Sequence, residues 1–192
     1  MSPLSDTLLE SLAAEAVREG LADALYTRVP TPIGDLLVVA GDRGVARVGF
    51  QEEPEDAVLA QAAGGLGPRI LRSDRKLADV REQLQRALEE EGTELALPYD
   101  LRLVRSPFRR AVLETLAGKV HRGDTIRYGE LAARVGHPGA ARAAGTACAT
   151  NPVPVIVPCH RVLPAGGGVG SYAGGPPRKR QLLALEGAAT SR

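Results

Sequence analysis

The sequence predicts an α+β fold in two parts: a small acidic α/β domain, then a basic helical domain carrying a helix-turn-helix. Three observations predict it. Strand-like and helix-like apolar stretches mix before residue 97, and the composition turns mainly helical after 106. Charge divides at the same place, with ten basic against nineteen acidic residues in 1–100 and fourteen against four in 101–192. Finally, two short helical stretches flank Gly136-His-Pro-Gly139, a tight turn.

The elements follow in order. Leu4, Leu8, Leu12, Ala16 and Val17 recur at helical spacing with Glu10, Glu15 and Glu19 between them, predicting an amphipathic helix that ends near Gly20. Residues 1–24 read as a helical extension. Residues 29–35 form a turn, 36–40 a strand, Gly41-Asp-Arg-Gly44 a hairpin-like turn, and 45–50 a second strand. Residues 74–91 form a charged helix with Leu77, Val80, Leu84 and Leu88 on one face. The unit over 25–97 has no His and no Cys, so its expected role is scaffolding. A stretch from 95 to 105 reads as connecting chain, with 98–105 as the linker proper.

Ser106-Pro107 starts the second domain, which spans 106–187 before a tail at 188–192. Ser supplies an N-cap and Pro the first helical position. The helix runs through Phe108, Val112, Leu113 and Leu116 to about Gly118. A short helix over 128–135 and another over 140–150 form the helix-turn-helix. The second is nearly all small side chains, with Arg142 its one long residue. Such a helix can press against another backbone and project Arg142 as a probe. The alternative, favoured on these residues alone, is an Ala-rich packed helix with Arg142 snorkelling to solvent.

At 192 residues and 44% hydrophobic content, one substantial core or two small ones can form. Two cysteines eleven apart give no disulfide framework, and no Cys-x-x-Cys pair begins a zinc site. No basic leader with an apolar run and no membrane-length apolar stretch occurs, so a reduced, cytoplasmic protein without membrane contact is expected. A basic half with four carboxylates suits a polyanionic partner.

The chemistry concentrates in the back half. The apolar run 153–157 suggests a buried extended segment, and Pro158 presents Cys159 at its end. A thiol needs a neighbour to remove its proton, and His160 is nearest in sequence. Gly166-Gly-Gly-Val-Gly-Ser-Tyr-Ala-Gly-Gly175 is a side-chain-poor loop suited to shaping a pocket. Arg178-Lys-Arg180 opens the final helix against its dipole, which hints at a phosphate contact or a solvated helix end. Glu186 closes that helix, where a carboxylate is unfavourable unless it has a partner such as the His160 imidazole.

Asn151-Pro-Val-Pro-Val-Ile-Val-Pro-Cys-His-Arg-Val162 resembles the active-site signature of the O6-alkylguanine-DNA alkyltransferases, also called methylated-DNA–protein-cysteine methyltransferases. Tyr128-Gly-Glu-Leu-Ala132, Pro138-Gly-Ala-Ala-Arg142, Gly170-Ser-Tyr-Ala-Gly-Gly175 and Leu-Leu-Ala-Leu-Glu186 fall in that family's order and spacing. The resemblance covers about 25–187, strongly from 106 onward.

It implies a ribonuclease H-like first domain and a winged-helix or helix-turn-helix-like second one. It further implies that Cys159 accepts the alkyl group of an O6-alkylguanine, and of an O4-alkylthymine if that lesion is repaired at all. His160 would deprotonate Cys159 through water, Glu186 would orient His160, and Asn151 would brace the turn. Tyr128 would crowd the phosphate of the flipped nucleotide and donate a proton to the leaving base. Arg142 would fill the vacated stack from a helix in the minor groove, reversing the packed-helix reading, with Ala140, Ala141 and Gly145 on the smooth DNA-facing surface. Val162, Tyr172, Ala173 and Pro154 would shape the base pocket. The product is a thioether, so each molecule acts once on double-stranded DNA, with no cofactor and no metal; the protein is expected to be a monomer in solution, with cooperative binding on DNA left open. Leu113, His121-Arg122 and Ala173 depart from the family's usual residues, which bears on affinity and lesion preference. Two other classes remain open: a lesion sensor that flips bases without reacting, and a thiol hydrolase using Cys159 and His160.

Overall fold

The computed structural model describes residues 6–188. It divides into two compact units, one holding the described residues up to Glu89 together with Leu95–Leu103, the other Glu90–Glu94 and Val104 onward.

The first unit is built on a four-stranded sheet. Helix α1 (Asp6–Arg18) precedes β1 (Ala24–Val29), β2 (Leu36–Gly41) and β3 (Gly44–Phe50), which form an antiparallel meander. Helix α2 (Glu55–Leu66) then leads to β4 (Ile70–Arg72), which pairs parallel to β1, giving the order β3-β2-β1-β4. Helix α3 (Ala78–Glu89) packs on β1. Leu36, Val38 and Val39 are all fully buried, so β2 is covered on both faces. Val58 and Ala62 of α2 cover one of them, against Ala24, Leu37 and Val39. Each such Val or Leu contributes roughly 1.5–3 kcal/mol through burial.

The expected strands at 36–40 and 45–50 are present. Three elements had no clear signal: β1, whose burial does not alternate cleanly; the three-residue β4; and α2, whose Gly64-Gly65 and small residues dilute any stripe. Helix α3 begins later than the expected 74. Residues 74–77 form turns instead, with the Lys76 amide bound to Ser73 Oγ. In the N-terminal extension, helix α1 is present, while Leu4 lies outside the described residues. Glu10 ties α1 to the sheet by accepting from Ser73 Oγ at 2.6 Å and from the Asp74 and Arg75 amides.

Part of the expected linker belongs to this unit. The Val45 amide donates to Pro98 O at 2.9 Å and the Asp100 amide to Val45 O at 2.8 Å, with Leu97 and Leu101 buried. Gly44 permits that approach: its φ is +118°, and a Cβ there would sit 2.3 Å from Pro98 O.

The second unit is helical around a two-stranded parallel ladder. Helix α4 (Pro107–Lys119) starts as expected, with Ser106 Oγ accepting from the Arg109 amide. Then come β5 (Ile126–Arg127), α5 (Tyr128–Arg134), α6 (Ala141–Ala149), a 3-10 turn (Cys159–Arg161), β6 (Val162–Leu163) and α7 (Gly175–Leu185). Helices α5 and α6 are the expected helix-turn-helix, packed on α4. Leu113, Leu116, Leu131, Ala144 and Ala147 are fully buried. Helix α6 buries one side and leaves Arg142, Ala143, Thr146 and Ala149 exposed, so it is only half packed. Among the described residues no helix is long and apolar enough to cross a membrane, and no cluster of three His, Cys, Asp or Glu side chains could hold a metal ion.

Candidate active site

The chain between α6 and the 3-10 turn is buried as expected but is not extended. Val157 N donates to Val153 O at 2.9 Å, closing a turn in which Val155 has φ +74°. A β-branched residue in the left-handed region costs on the order of 1–3 kcal/mol and persists only where its surroundings hold it. Asn151 does the holding. Its Nδ2 donates to Val157 O at 2.9 Å and to Cys159 Sγ at 3.3 Å, and its Oδ1 accepts from the Val153 amide at 3.0 Å. Apolar side chains between three prolines, Pro152, Pro154 and Pro158, hid this compact turn behind a strand-like composition.

Cys159 opens the 3-10 turn with 2% exposure. The tight turn lets His160 point elsewhere, as adjacent side chains diverge. His160 Nε2 lies 3.0 Å from Glu186 Oε1, the partnership expected for that helix-closing carboxylate. Arg161 also grips Glu186, Nε to Oε2 and Nη2 to Oε1 at 2.8 Å each, and its Nη1 reaches Val120 O at 2.6 Å. Burial would raise the Glu186 pKa, but hydrogen bonds and charge from His160 and Arg161 win and bring it down to about 2. Glu186 is therefore a carboxylate at neutral pH, and His160 Nε2 carries the proton it donates. Burial pushes the His160 pKa below its usual value, so the ring is neutral and its buried Nδ1 is an acceptor. That Nδ1 has no hydrogen-bond partner among the described residues.

Cys159 forms part of a cavity of about 220 Å³ whose other walls are Tyr128, Gly145, Cys148, Ala149, Ser171, Tyr172 and Ala173. Of the residues expected around a base, Tyr172, Ala173, Tyr128 and Gly145 line it. Val162 and Pro154 are buried beside it in sequence but are not among its walls. Ala140 caps α6 and Ala141 begins it. Arg142 is exposed at the same end. Burial lifts the Cys159 thiol to about 11 despite the opposing Asn151 hydrogen bond and the Lys179 charge, so it rests protonated. Desolvation raises Tyr128 to about 12, which keeps its hydroxyl a proton donor.

Three site residues were not singled out from sequence. Cys148 is a second buried thiol on the cavity wall, and Arg161 is the second partner of Glu186. The third, Lys179, corrects the reading of Arg178-Lys-Arg180 as a phosphate-facing or solvated helix start. Its side chain has 0% exposure, and Nζ donates to Val162 O at 2.6 Å and Ser171 O at 3.4 Å. A signal existed: Lys179, Leu182, Leu183 and Glu186 are spaced i, i+3, i+4, i+7, placing Lys179 on the apolar stripe.

Two family models match the chain: the 6-O-methylguanine DNA methyltransferase ribonuclease-like domain over residues 24–101, and the DNA binding domain of the same enzyme over 107–188. A methylated-DNA–protein-cysteine methyltransferase of Salmonella typhimurium is 48% identical over 179 residues, covering 85% of this chain and 95% of the relative. One of Mycolicibacterium paratuberculosis is 46% identical, covering 84% and 91%. The crystal structure of Mycobacterium tuberculosis OGT in complex with DNA superposes with a TM-score of 0.70 at 34% identity, covering 85% of this chain and 92% of that one. Fold and site thus define a two-domain protein whose helix-turn-helix walls a cavity around a buried cysteine. The chain belongs to the 6-O-methylguanine DNA methyltransferase family.

Proposed function

We propose that this protein repairs alkylated DNA by moving the alkyl group of O6-alkylguanine onto Cys159, once per molecule. The observation that carries the assignment is Cys159 on the wall of a 220 Å³ cavity, followed in the chain by a neutral His160 locked by Glu186. His160 Nδ1 takes the thiol proton through a bound water, while Nε2–H to Glu186 steadies the imidazolium that forms. Arg161 fixes Glu186, and Asn151 holds the Sγ in place. The thiolate attacks the alkyl carbon, the carbon–oxygen bond breaks, and its electron pair leaves on guanine. Tyr128 supplies the guanine with a proton that it regains from solvent. A carbon–sulfur bond replaces the carbon–oxygen bond, and no step returns the thioether to a thiol.

The base must leave the duplex to reach this cavity. Exposed Arg142 at the start of the smooth helix α6 fills the gap, with Ala140, Ala141 and Gly145 allowing a close approach in the minor groove. Backbone groups of Val162 and Ala173 read the guanine edge, beside Tyr172 and Pro154. The DNA complex of the Mycobacterium tuberculosis relative supports DNA as the partner. Residues 106–187 carry both DNA contact and acceptor, 25–97 act as scaffold, and the protein works as a monomer in the reducing cytoplasm.

The test is intact mass and peptide mapping after incubation with a duplex containing O6-methylguanine. One methyl at Cys159, saturating at one per protein, is expected. Tight lesion binding without a mass gain would make the protein a sensor, and turnover on an acyl substrate would make it a hydrolase.

A further inference from the structure

Lys179 is the largest fully buried side chain among the described residues, and its surroundings are unusual for a buried cation. Removing an ammonium from water is costly unless a counter-charge or a full set of acceptors replaces the hydration. Lys179 has two backbone carbonyls, Val162 O and Ser171 O, and no carboxylate among the described residues. The Tyr128 ring centroid lies 6.0 Å from Nζ. Burial pushes the Lys179 pKa below its usual value, and what opposes that shift is two nearby thiols, Cys159 and Cys148, whose anions each favour its charge. The site is therefore built as half of an ion pair whose other half appears only when a thiol ionises.

We propose that Lys179 is a positioning residue for the transfer: its buried ammonium stabilises the anion on Cys159 Sγ, and its hydrogen bonds hold the Val162 and Ser171 carbonyls in register beside the cavity. The inference rests on Cys159 being the acceptor. Other groups act on Cys159 from the surrounding elements: Asn151 from the preceding turn, Tyr128 from α5, Cys148 from α6 and Tyr172 from the loop before α7, while the charges of His160, Arg161 and Glu186 are engaged with one another. Of the charged groups, Lys179 is the one that favours the Cys159 anion, and Asn151 adds its hydrogen bond. Cys148 has the same lysine but no Asn151 and is pushed up by burial and by the other thiol. Lys179 and Asn151 together select one of two cavity thiols as nucleophile.

The experiment follows iodoacetamide labelling of each cysteine against pH in the DNA-free protein, resolved by peptide mapping, for the wild type, K179M and K179Q. Thermal unfolding reports whether each variant is folded. Methionine keeps the stem's bulk without charge. The half-point of Cys159 labelling should rise by about one pH unit or more in K179M, since one unit is a tenfold smaller thiolate fraction. Methyl transfer at neutral pH should fall by about tenfold or more, with the loss recovered as pH rises. Transfer that falls equally at every pH, with the Cys159 half-point unmoved, would reduce Lys179 to a structural clamp and overturn the proposal. If neither variant folds, the wild type decides: Cys159 must label at a pH at least one unit below Cys148, and coincident half-points overturn the proposal. Failure of the wild type to take up methyl would instead sink the alkyl-acceptor assignment, which the labelling curves do not depend on.

Discussion

The two units use arginine in opposite ways. In the first, cations are neutralised in place: Arg69 pairs with Asp23, Arg28 with Glu55, Arg47 with Glu53, and Arg102 with both Asp42 and Asp100. In the second, Arg109, Arg110, Arg122, Arg127 and Lys179 bind backbone carbonyls. A carbonyl satisfies the donor but leaves the charge. Of the four carboxylates after residue 101, Glu130 pairs with Arg134, and Glu186 is enclosed by His160 and Arg161. The comparison teaches that charge is organised by partner type: one unit neutralises its cations within an excess of carboxylates, and the other keeps a positive field available to a polyanion.

The sharpest break in that comparison is Cys159→Ala, which should abolish methyl incorporation while binding to a lesion-containing duplex stays largely intact. Comparable loss of binding would make the thiol structural. Next is Glu186→Gln, which leaves Arg161 and His160 without a counter-charge. A loss of about 3–5 kcal/mol in denaturant unfolding at neutral pH is expected. The pH dependence sharpens it. A carboxyl lowered from 4.5 to about 2 contributes about 3 kcal/mol that is fully present above its unfolded pKa and is lost as pH falls from about 4.5 toward 2. That window of acid sensitivity should be missing in the variant.

Arg142→Ala should come third, lowering repair in duplex DNA by about tenfold and the slope of log affinity against log salt by about one if a phosphate contact is lost. Reaction with the free alkylated base should be unchanged; equal loss on both substrates would remove the finger role. Smallest is Arg69→Ala in the first unit, where the pair with Asp23 is exposed. Neither transfer nor salt dependence should move measurably. A change in salt dependence would mean that the first unit's paired arginines also meet the polyanion.

Legibility in sequence followed the locality of the cause. Ser106-Pro107, the 36–50 hairpin and the turn at Gly136 rest on contacts within a few residues, and all were readable. So was the Glu186–His160 pair, because a carboxylate at a helix C-terminus asks for a partner. Helix α2 and strand β4 were hidden because packing on the sheet, not their own residues, selects them. The 151–158 turn was misread as extended, since Val-Pro-Val-Ile-Val looks like a strand until Asn151 is seen holding it closed. Lys179 was misread because charge was weighed before periodicity.

The closed turn around Cys159 also bears on how long an unused molecule keeps. A protein consumed by a single event is valuable for the time it spends waiting. Cys159 is buried beside the Asn151-held turn, lies on the wall of a cavity, and rests as a thiol rather than a thiolate. Peroxides and stray electrophiles react with thiolates, so a resting thiol is a poor target for them. Burial, which at first sight handicaps the nucleophile, is what gives the idle protein its shelf life.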